Sequence, residues 1–105
     1  MHNWFYQWIN NNKEKVLASP TIRFLKVQQF PHHPTPFTSV LVISNEFAGR
    51  FLVYKNNKIY EEVVGQIGSD LLIGRSTYVE GKEDILAIFT FYLLHSFDIN
   101  SPLMN

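Results

Sequence analysis

The stretch that decides the fold runs from Gly49 to Gln66: Gly-Arg-Phe-Leu-Val-Tyr-Lys-Asn-Asn-Lys-Ile-Tyr-Glu-Glu-Val-Val-Gly-Gln. Two runs rich in β-branched and aromatic residues flank Asn56-Asn57. Asn tolerates positive φ, so a two-residue Asn-Asn connection fits a type I′ hairpin. That loop length pairs Tyr54 with Ile59, Val53 with Tyr60 and Leu52 with Glu61. Phe51, Val53, Tyr60 and Val64 then share the core face. Glu62 falls on that inner face opposite Phe51, and Arg50 lies diagonal to Glu61 on the other.

Further strands are expected on both sides of the hairpin. Thr21 to Phe30 alternates apolar and polar residues, and the alternation slips at Leu25, which predicts a bulge or a change of face. Pro31-His32-His33-Pro34-Thr35-Pro36 is an extended connection, because three prolines in six residues exclude a regular element. Phe37 to Ser44 carries Val40-Leu41-Val42-Ile43, a run expected centrally in a sheet with both faces covered. Leu71 to Val79 reads as a fifth strand, and Gly65 to Ser69 as a turn.

A helix is expected at each end. Trp4, Phe5, Trp8, Ile9 and Val16 fall near one helical stripe. Asn10-Asn11-Asn12 weakens it, so the helix ends at Ile9 or continues to Ala18, before Ser19-Pro20. Lys82 to Phe97 reads as a second helix, with Glu83 and Asp84 favoured in its first turn by the dipole. It is apolar nearly all round, which means burial or a shared surface. Asn100-Ser101-Pro102 ends it. The predicted fold is α+β, in two layers: a five-stranded antiparallel sheet with N-terminal and C-terminal helices on one face.

Composition bounds the function. The 105 residues suit one domain, residues 1–105. The chain has no Cys, which excludes a disulfide scaffold, a thiolate zinc site and a cysteine nucleophile. Nine basic and nine acidic residues give zero net charge, which argues against a dedicated nucleic-acid binder. The start of the chain shows neither a basic leader nor a long apolar segment of the signal-peptide kind. The longest apolar run, Ile85 to Leu94, is about half the roughly 20 residues that span a bilayer. A cytoplasmic protein without a membrane span is the expectation.

Catalytic and metal signatures are missing. His32 and His33 are adjacent in an extended segment and point to opposite sides, so they do not chelate one ion. Glu61 and Glu62 likewise face opposite ways on a strand and form no dyad. Gly65-Gln66-Ile67-Gly68-Ser69 lacks the spacing of a phosphate loop, and no serine sits in a nucleophile-elbow context. The expectation is no enzyme, no cofactor and no metal. The aromatic cluster Trp4, Phe5, Tyr6 and Trp8 is expected to pack the first helix on the sheet rather than to stack bases.

The zero charge is unevenly distributed. Residues 1–58 hold seven basic and two acidic residues, and residues 59–105 hold two basic and seven acidic. Gathered on one exposed face, the acidic set would steer a basic partner. Interleaved with the first half, its field would cancel.

The strand and polar turn, then Lys58-Ile59-Tyr60-Glu61-Glu62-Val63-Val64-Gly65, then Glu83-Asp84-Ile85-Leu86 opening an apolar C-terminal helix, resemble the small immunity proteins of bacterial contact-dependent growth inhibition and polymorphic-toxin systems. The resemblance covers about residues 37–97 and is one of layout, size and acidic C-terminal half. It implies a protein that binds one cognate toxin domain, often a nuclease, as a heterodimer and covers its active site. On that reading the contact residues are Glu61, Glu62, Asp70, Glu80, Glu83 and Asp84, with Tyr78 as an aromatic anchor. Zero net charge departs from the clearly acidic character of many nuclease inhibitors. The alternative is a non-enzymatic interaction module or secretion-chaperone-like dimer, associating through the C-terminal helix.

Overall fold

A computed structural model describes residues 2–65 and 71–97. Helix α1 (His2–Leu17) is followed by β1 (Ile22–Phe30), β2 (Phe37–Ser44), β3 (Phe47–Tyr54), β4 (Lys58–Gly65) and β5 (Leu71–Tyr78), then by helix α2 (Lys82–Phe97). The five strands form one antiparallel meander in the order β1-β2-β3-β4-β5. Both helices pack on the same face, giving the two-layer α+β arrangement.

The asparagine run does not end α1. The Asn10 and Asn12 side-chain amides donate to the carbonyls of Tyr6 and Trp8 at 2.9 and 2.8 Å, so they bond along the helix rather than unwinding it. Phe5, Ile9 and Val16 are fully buried on the inner stripe. The core is aromatic where the two helices meet the sheet: Phe5, Phe51 and Phe89 contact one another with ring centroids 4.8–5.8 Å apart. Lys82 Nζ lies 5.2 Å over the Trp4 ring and ties the start of α2 to α1.

The register of β1 shifts between Ile22 and Phe24, whereas Leu25, the expected position of the slip, pairs regularly with Val42. In β2 the covering is one-sided. Val40 and Val42 are fully buried under the helices, whereas Leu41 and Ile43 are half-buried on a face that carries no helix. The expectation that both faces are covered is therefore corrected. The turn expected at 65–69 and the helix stop at 100–102 lie largely or wholly outside the described residues.

The hairpin of β3 and β4 forms, with its register one residue away from expectation. Val53 pairs with Ile59, Leu52 with Tyr60, Phe51 with Glu61 and Arg50 with Glu62. The loop has three residues, not two. Asn57 N–H donates to the Tyr54 carbonyl at 3.1 Å, and Asn57 itself takes φ 66°. This is a tight turn followed by a left-handed residue, and Lys58 N–H is held by the Asn56 side chain at 3.2 Å. Because strand side chains alternate, a one-residue shift exchanges the faces of β4. Ile59, Glu61 and Val63 point into the core. Tyr60, Glu62 and Val64 point to the open side, whereas the expected register turns all three inward.

Gly49 marks the tightest approach of α2 to the sheet. A Cβ there would lie 2.6 Å from the Glu62 carbonyl oxygen and closer still to the Tyr92 hydroxyl. Tyr92, only 2% exposed, uses that space to donate to the Glu62 carbonyl at 2.8 Å.

Candidate interaction face

The register sorts the expected contact residues. Glu61 is 2% exposed on the helix side. Its carboxylate takes two bonds from Arg75, at 3.0 Å from Nε and 3.4 Å from Nη2. The bonds and charge of Glu61 raise the Arg75 pKa above its ordinary value. Glu62 stands on the opposite face, where Arg50 Nε donates to it at 3.1 Å and the Tyr60 hydroxyl at 3.3 Å. Tyr60 is pushed above the ordinary phenol value, first by burial and then by the Glu62 charge and hydrogen bond. Burial, and after it the charges of Glu61 and Glu62, push the Tyr92 phenol far up.

Glu80, Glu83 and Asp84 gather at the start of α2, where Asp84 accepts the Glu80 N–H at 3.1 Å. Tyr78 is 70% exposed at the end of β5. Asp70 lies outside the described residues. The expected acidic residues therefore do not share one exposed face. The two halves of the chain interleave, Arg50 of the basic half against Glu62 of the acidic half. Among the described residues no group of three or more His, Asp or Glu could hold a metal ion.

The structure assembles something else on the open face. Alternation along the strands and the pairing across them set out three rows. One is Phe30, Phe37, Tyr54, Lys58 and Tyr78. The next is Gln28, Ser39, Leu52, Tyr60 and Ser76, and the third is Lys26, Leu41, Arg50, Glu62 and Gly74. In the first row Phe30 stacks on Phe37 at 4.6 Å, Phe37 meets Tyr54 at 5.1 Å, and Lys58 Nζ lies 5.8 Å from the Tyr54 ring centre. The proline-rich connection adds His33, edge-on to Phe37 at 5.2 Å, with Nδ1 accepting the Thr35 N–H at 3.1 Å.

The β1, β2 and β3 members of these rows, with Tyr60 and His33, line a concavity of about 470 Å³. Its floor holds Ser39 and Leu52, 9% and 6% exposed although no helix covers them. Aromatic side chains and Arg around a recessed floor are the composition of a protein-binding hot spot. Sequence reasoning missed this face because each row takes one residue from every one of the five strands and exists only once the registers are known. The signal available was the alternation Arg50, Leu52, Tyr54 against Gly49, Phe51, Val53, read in the correct register. The chain matches no known family model and no curated protein.

Proposed function

We propose that this protein is a non-catalytic binding module that grips a protein partner with the open face of its sheet, and that its role is immunity, the neutralisation of a toxin domain by covering its active site. The observation that carries the binding reading is the aromatic concavity around Ser39 and Leu52. The size and layout of the chain support the immunity role. Carboxylate steering toward a nuclease does not, because the acidic residues are dispersed. The test is co-expression with the product of the adjacent upstream reading frame. Copurification of a one-to-one complex, and rescue of growth when that product is toxic, are expected. No complex and no rescue would end the immunity role.

The exposed apolar side of α2, with Phe91 54% and Leu94 39% exposed, favours a second reading as a homodimer through that helix. Light scattering on the purified protein separates the two. A mass near 12.3 kDa supports the monomeric module, and twice that supports the dimer.

A further inference from the structure

We infer that the partner surface taken by the open face is acidic, an extended segment with carboxylates at i and i+4 and an aromatic side chain at i+2. This rests on the reading of that face as the binding surface and adds the chemistry of what it takes.

Among the described strand residues on the face, the cations are Lys26, Arg50 and Lys58, and the one carboxylate is Glu62. Glu62 is already held by Arg50 and Tyr60. Arg50 contacts it through Nε alone, and its side chain is 53% exposed. Neither Lys26 nor Lys58 forms an ion pair among the described residues. The face therefore offers positive charge in excess, at both ends of the floor formed by Ser39 and Leu52.

The spacing gives the pattern. Arg50 and Tyr54 lie four residues apart on β3 with Leu52 between them, and Lys58 stands beside Tyr54. Four residues of strand span about 13 Å. An extended partner segment has the same rise, and its residues i, i+2 and i+4 face one way. Carboxylates at i and i+4 meet Arg50 at one end and Lys58 at the other, while an aromatic at i+2 sits over Leu52. A single-stranded nucleic acid suits the face less well. Three cations with a carboxylate among them neutralise few phosphates, and the chain has no net positive charge to hold the strand.

The test uses three probes on ¹⁵N-labelled protein followed by NMR: the acetylated peptide Glu-Ser-Phe-Ser-Glu, its counterpart with Lys in place of Glu, and a ten-nucleotide oligo(dT). The Glu peptide is expected to shift amides of β2, β3 and β4 around Ser39, Leu52 and Tyr60, and to bind at least tenfold more weakly to the Lys26→Glu/Lys58→Glu variant. Equal or tighter binding of the Lys peptide overturns the charge assignment, and preferential binding of oligo(dT) overturns the protein segment in favour of nucleic acid. If no peptide binds while the co-expressed partner is still captured through Tyr54, the inference fails and the proposed function stands. If the captured partner is indifferent to Tyr54→Ala, the reading of the face itself fails.

Discussion

Glu61 and Glu62, neighbours in the chain, send their carboxylates to opposite faces of the sheet: Glu61 to Arg75 beside α2, Glu62 to Arg50 on the open side. The two ion pairs resemble each other in length, 3.0 and 3.1 Å, and differ in burial. Removing Arg75 strands a carboxylate that is 2% exposed. Arg75→Ala is expected to cost about 2–3 kcal/mol, less than the ~3–5 kcal/mol of a fully buried pair because the Arg75 side chain is half in water. Arg50→Ala is expected to cost no more than about 1 kcal/mol. Urea midpoints of the two variants give the comparison, and equal losses would contradict the assigned burial.

The contact of Gly49 with α2 gives a second prediction. Gly49→Ala puts a methyl group against the Glu62 carbonyl and the Tyr92 hydroxyl. Its expected cost is about 2–3 kcal/mol, in the range of overpacked cores. Tyr92→Phe alone loses one hydrogen bond, about 1 kcal/mol. Combined, the two should cost less than their sum, because the phenylalanine removes one of the clashing atoms. A double-mutant cycle on thermal denaturation measures that coupling, and strict additivity would mean the two residues do not meet.

The loop that set the register is testable at one residue. Asn57 holds φ 66°, where side chains branched at Cβ are strained. Asn57→Gly is expected to leave stability within about 0.5 kcal/mol. Asn57→Val is expected to lose about 1–2 kcal/mol. A two-residue type I′ loop would hold Asn56 at positive φ as well, so Asn56→Val would then lose as much as Asn57→Val in a melting experiment, whereas in the three-residue loop it is expected to lose less.

This loop also marks the limit of what the amino-acid sequence disclosed. The element order and the start of α2 follow from local patterns: turn residues, prolines and helical spacing. The facing of β4 does not. Ile59, Glu61 and Val63 alternate as plausibly as Tyr60, Glu62 and Val64, since each set carries one carboxylate. The arbiter is Arg75, one strand further out, which makes Glu61 the carboxylate that can be buried. The open face was unreadable for the same reason. Phe30, Phe37 and Tyr54 belong to three strands and become neighbours only through two pairings.

His2 supplies a pH dependence. It is 6% exposed, and the Thr38 hydroxyl donates to its carbonyl at 2.9 Å. Burial lowers its pKa below the ordinary 6.5, and the Lys55 charge adds to that. A histidine depressed in the fold binds fewer protons there than in the unfolded chain. Its contribution to stability is complete above about pH 6.5 and is lost as pH falls toward the lowered folded value. Melting curves at pH 7.5 and 5.5 should show a drop for the native protein and a smaller drop for His2→Gln. Equal drops would assign the acid sensitivity elsewhere.

On the proposed function, the open face, not the exposed side of α2 or its acidic start, grips the partner. The most direct measurement is calorimetric titration of the co-expressed partner against four forms: native protein, Tyr54→Ala, Phe91→Ala and Glu83→Ala/Asp84→Ala. At least a tenfold rise in Kd is expected for Tyr54→Ala, about 1.4 kcal/mol, with the other two unchanged. An unchanged Kd for Tyr54→Ala beside a tenfold loss in either of the other two would contradict it.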